Sequence, residues 1–119
     1  KTSGGHSHKH GPKNEVMFAI KGEGIDLHAE YLFSKSTDKC TVAFCDDHGH
    51  EPMAVKLEKI EIVYEDARYP LTGVDLKDGK AIEFVSEANK ELGVIATNRP
   101  YLEVTVDGKK AKVRLPRPH

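Results

Sequence analysis

The chain has no tryptophan, two cysteines, four phenylalanines and four tyrosines among its 119 residues, and no long apolar run. Each shortage excludes something. Nothing approaches the roughly 20 consecutive apolar residues of a membrane-spanning helix, so membrane insertion by this segment is not expected. Lys and Arg total 18 against 19 Asp and Glu, a net charge of −1, which leaves no field for gripping nucleic acid or an anionic membrane. No nucleophile elbow, H-E-x-x-H or phosphate-binding loop is present, and Gly22-Glu23-Gly24 lacks the third glycine and following helix of a phosphate cradle. The chain is therefore read as non-catalytic. Cys40 and Cys45 lie five apart in CTVAFC. Five extended residues span roughly 16 Å, against the roughly 7 Å that a disulfide tolerates, so the two should not bridge each other. One is expected to be a buried small hydrophobe and the other a thiol on the opposite face.

What is present is a pattern of short strands. Residues 1–14, KTSGGHSHKHGPKN, hold no apolar side chain and three lysines without an acid, which leaves the remaining body at −4. Such a segment cannot offset the entropy of ordering and is expected to be a flexible, histidine-bearing tail ahead of one domain over 15–119. EVMFAI is the first expected strand. IDLHAEYLF alternates cleanly, placing Ile25, Leu27, Ala29, Tyr31 and Phe33 on a core face and Asp26, His28 and Glu30 on a polar one. CTVAFC, a segment over 54–64 with a change of phase near Lys59, RYPLTGVDL with an edge position or irregularity at Pro70, and AIEFV after an Asp78-Gly79 turn extend the series. PYLEVTV and KKAKVRL around Asp107-Gly108 form the strongest hairpin signal, with Tyr101 or Leu102 together with Val104, Val106, Val113 and Leu115 as core candidates. One short helix is expected over 86–92, capped by Ser86 and ended by Gly93. Seven or eight short strands with regular turn signals predict an all-β, antiparallel sandwich with Greek-key, immunoglobulin-like connections.

The chemistry-bearing residues point to metal. His6, His8 and His10 alternate in the tail, and imidazole is the commonest side-chain ligand for zinc, copper and nickel near neutral pH. In the body, Cys45, Asp46, Asp47, His48 and His50 pack five potential ligands into six positions. Of these, Cys45, Asp47, His48 and His50 join the three tail histidines as candidate ligands for a zinc, copper or nickel ion, with no organic cofactor expected. The competing view of the loop is an ordinary turn, because Asp, His and Gly are common turn residues. His28, flanked by Asp26 and Glu30, reads first as part of a solvated face.

Taken in order, HKHGP, LHAEYLF, CDDHGHEP and VDGKKAKVRL resemble segments of small histidine-rich bacterial cell-envelope proteins, many of them lipoproteins, which are similar to segments found beside periplasmic adaptors of heavy-metal efflux systems. The match touches His8, His10, Gly11, Pro12, His28, Glu30 and Asp46. Here Lys13 and Asn14 follow Pro12 where such proteins often carry a further glycine pair, and the strand before Asp46 ends in Cys45 instead of an aliphatic residue. The resemblance implies metal handling, a lipid anchor upstream, and an envelope efflux or adaptor protein as partner. The start at Lys1 and its Gly, Ser, Lys and His content fit a processed N-terminus, so a periplasmic or cell-envelope location is expected. The function expected is a transition-metal-binding accessory domain that buffers or delivers ions for an efflux system. The alternative is a non-catalytic structural or protein-interaction module with the tail as a spacer.

Overall fold

A computed structural model describes residues 17 to 116. Eight strands and one helix follow in the order β1 (Met17–Gly22), β2 (Ile25–Ser34), β3 (Lys39–Cys45), β4 (Lys59–Tyr64), β5 (Ala67–Gly73), β6 (Glu83–Ser86), α1 (Lys90–Ala96), β7 (Tyr101–Val106) and β8 (Lys109–Arg114). All strand pairings are antiparallel, and the spatial order is β1-β2-β3-β6-β5-β4-β7-β8. The all-β expectation holds. Strands β4 to β7 lie in the order 7-4-5-6, which is a Greek key: three hairpin-linked strands and a fourth that returns beside the first. The β1 and β8 edges approach closely, so that a Cβ added at Gly22 would meet the Ala111 Cβ at 2.7 Å, and the sheet is nearly closed on itself.

Strand β5 joins two halves of this sheet. Its first part pairs with β4 as far as Glu61↔Pro70, and its second part pairs with β6 from Leu71↔Ser86 onward. Proline has no N–H to donate, and the change of partner falls directly after it, which is the irregularity expected at Pro70. The inward residues of both halves, including Ile20, Tyr31, Val42, Phe44, Ile62, Phe84, Leu102 and Val104, form one core. Phe44 and Phe84 meet edge to face at 5.6 Å, and the Tyr31 hydroxyl lies 3.2 Å from Cys40 Sγ inside it.

Two turns carry the positive φ values that their residues allow: Asp78-Gly79 and Asp107-Gly108 both close two-residue hairpins. The segment 54–58 is not a regular strand. It makes a single bridge, Val55↔Ala81, before β4 starts at Lys59, consistent with the expected change of phase.

Three expectations need correction. The helix spans Lys90–Ala96 and not 86–92, and its N-cap is Asn89, whose side chain accepts from the Glu91 N–H. Ser86 belongs to β6, where its hydroxyl accepts from the Cys40 N–H. Gly93 sits inside the helix because a Cβ there would lie 3.1 Å from Phe33 Cζ, so close packing on β2 outweighs the usual role of glycine as a terminator. The polar face of β2 is not solvated throughout, since Glu30 is only 1% exposed. The two cysteines do not bridge each other, as expected, and both are buried.

Candidate functional site

The loop after β3 is organised by Asp46. Its Oδ1 accepts from the backbone N–H groups of His48 (3.1 Å) and His50 (2.9 Å), and its carbonyl accepts from Gly49 N (3.1 Å). The Asp46 N–H in turn donates to the Glu51 carbonyl at 3.0 Å, and Gly49 takes the positive φ that the turn demands. These donors, led by the His50 amide, hold the Asp46 carboxyl below its ordinary range. Asp46 is thus consumed in shaping the loop, while the side chains it positions remain available. The His48 and His50 rings lie 5.9 Å apart between centroids, tilted by 34°, and His48 Nε2 is 3.5 Å from Asp47 Oδ1. Both partners of that contact are well exposed to solvent.

Cys45 stands apart from this pair. It is fully buried, and burial, followed by the neighbouring Glu30 and Asp46 carboxylates, pushes its thiol up to about 11. A thiol coordinates as its thiolate, so Cys45 is poorly prepared to ligate at neutral pH. Cys40 is held at about 11 chiefly by burial. His28 lies directly across from Cys45 in the β2–β3 register and is half-buried, on the row adjoining the one that holds Glu30. Among the described residues, no three His, Cys, Asp or Glu side chains converge as a ligand set. The loop therefore brings together His48, His50 and Asp47 in sequence but presents them as a paired imidazole site with a carboxylate beside it. His6, His8 and His10 lie outside the described residues.

A cleft of about 700 Å³ adjoins the loop on the outer face of the first half of the sheet. Glu30 and Ala43 line it from β2 and β3, Glu83 from β6, and the segments carrying Pro52, Ala54 and residues 74–82 wall it. The pairings Met17↔Glu30, Glu30↔Ala43 and Ala43↔Glu83 put four residues on one row across four strands, with the small Ala43 between two carboxylates. Pro52 lines the cleft and also bridges to Cys45, which ties the cleft to the Asp46 loop. Val74 and Ile82 bring exposed apolar surface to its walls. Sequence reasoning missed this cleft. The row partners of Glu30 lie far from it in the chain, and its place in the alternation of β2 reads as a solvent position.

No protein-family model, no characterised protein and no solved structure matches this chain.

Proposed function

We propose that this protein is a transition-metal-binding accessory domain of the cell envelope, which holds zinc, copper or nickel through His48 and His50 together with histidines of the N-terminal segment. The observation that carries the proposal is the imidazole pair, its two backbone positions fixed by a single Asp46 carboxylate oxygen. Fixing the loop in advance lowers the ordering cost of coordination. Two imidazoles are short of the four ligands a closed zinc site uses, and His6, His8 and His10 are the residues with the right chemistry to complete the set. Cys45 is left out of the proposed ligand set, because its side chain is fully buried. Envelope placement and service to an efflux system are supported by the resemblance of HKHGP, LHAEYLF and CDDHGHEP to segments of such proteins.

Calorimetric titration of the metal-free chain with each ion tests the proposal. We expect affinity on the order of micromolar, weakened below about pH 6, where protons compete for imidazole. Replacing His48 and His50 by Ala should remove most of the affinity, as should replacing His6, His8 and His10, because each set supplies only part of the coordination. If both variants bind like the parent, the metal proposal fails and a non-catalytic interaction module takes its place.

A further inference from the structure

The surroundings of the cleft carry most of the large apolar side chains that the molecule leaves in solvent. Among the described residues six such side chains are exposed, and four of them stand here. Val74 and Ile82 line the cleft, Met53 stands between the lining residues Pro52 and Ala54, and Leu76 between Asp75 and Lys77. A gathering of that kind marks a contact surface. Leu76 is the most exposed of the four, at 59%, yet it is held in place. A Cβ added at Gly73 would meet Leu76 Cδ2 at 2.7 Å, with Ala81 and Phe84 atoms at 3.1 and 3.2 Å from the same point. Asp75 and Asp78 both take positive φ, so the chain turns sharply on either side of Leu76.

We propose that this surface binds a second copy of the chain about a two-fold axis, with Leu76 of each copy entering the cleft of the other. Shape is the first reason: one patch holds both a presented leucine and a recess, and two-fold pairing sets each leucine against the partner's recess. Ala43, Phe44, Ala54 and Ala81 line the cleft with short or apolar side chains that accept an isobutyl group. Charge is the second reason. The wall segment carries Asp75, Lys77, Asp78 and Lys80, two residues of each sign within six positions. A partner of one sign would be repelled by half of them, whereas a rotated copy can set each acid against a lysine. Apolar side chains inside a rim of both signs have the anatomy of a protein interface. The patch is small, so the dimer is weak and reversible, with a dissociation constant on the order of 100 μM.

The dimer does not rest on the metal proposal, and its test uses the full chain in chelator so that no ion bridges two copies. In sedimentation between about 10 μM and 1 mM the average mass should rise toward twice that of the monomer. Leu76→Asp should weaken association at least tenfold. A second pair of variants leaves Leu76 in place. Lys77→Glu with Lys80→Glu makes the rim wholly acidic, and Asp75→Asn with Asp78→Asn makes it wholly basic while keeping residues that tolerate positive φ. Each should self-associate about tenfold more weakly than the parent, and an equimolar mixture of the two should recover the parent's affinity. A parent that stays monomeric to about 1 mM overturns the proposal, as does a mixture that associates no better than its components. A dimer that persists in folded Leu76→Asp would place the contact elsewhere and overturn it equally. So would a monomer whose Ala54 and Val74 amide resonances shift on addition of octanoate, which would assign the cleft to a small amphipathic ligand.

Discussion

The two halves of the sheet treat their outer faces in different ways. In the half built from β4, β7, β8 and the start of β5, the outer face is finished by side chains. Glu61 and Glu103 stand directly opposite each other, a repulsive arrangement, and Arg68 joins them through Nη1 at 2.9 and 2.8 Å. Beside them Lys112 and Arg114 lie over the Tyr101 ring at 5.0 and 5.5 Å. In the half built from β1, β2, β3 and β6, the outer face is covered by backbone: the stretch after β3 and residues 74–82 rise over Ala43 and Cys45, leaving the cleft between them. A face closed by loops acquires a cavity and a presented loop, which is why the candidate chemistry collects there.

The hardest test of this comparison is the core that both halves share. Val104→Asp places a carboxylate at a fully buried site in the side-chain-finished half and should destabilise the protein by about 4 kcal/mol, or prevent folding. Urea unfolding followed by amide resonances from both halves should show one transition, because β5 binds them into a single sheet. Separate midpoints would show that the halves are independent. A milder change belongs to the loop-covered half: Tyr31→Phe removes the contact between the hydroxyl and Cys40 Sγ while keeping the ring, and should cost about 1 kcal/mol in the same assay.

The smallest effect concerns the outer ion network. The Arg68 guanidinium, chiefly by hydrogen bonding, holds the Glu103 carboxyl below its ordinary value of 4.5. A carboxyl depressed in the folded state contributes stability above its unfolded value, and that contribution is lost as pH falls through the folded one. Arg68→Ala should therefore lower the urea midpoint slightly near neutral pH, and the gap between variant and parent should narrow as pH drops below about 4.5. A gap that stays constant down to strongly acidic pH would mean that Arg68 acts through packing alone.

The same contrast explains what was legible in the sequence. The side-chain-finished half is local and periodic. Leu102 and Val104 alternate with polar residues, Asp107-Gly108 announces its turn, and the hairpin lies where the pattern puts it. Even Pro70 marked its own irregularity. The loop-covered half depends on contacts distant in sequence, and there the local rules fail. Glu30 follows the alternation of an exposed residue and is buried, in a row whose other members, Met17, Ala43 and Glu83, lie 13 or more positions away in the chain. Gly93 looks like a helix terminator and is an interior residue, because Phe33 requires the space. The Asp46 loop is an intermediate case: its ligand types were visible in CDDHGH, but only the hydrogen bonds show that Asp46 is a scaffold and that the two histidines are what it presents.

The central claim is that the loop-covered half presents a metal site built on His48 and His50. Its most direct test is titration of the metal-free chain with zinc while the imidazole resonances of all seven histidines are recorded. His48 and His50 should respond together with His6, His8 and His10, saturating at one ion per chain, while His28 stays in place. Response confined to His6, His8 and His10, with His48 and His50 unmoved at saturation, would contradict it.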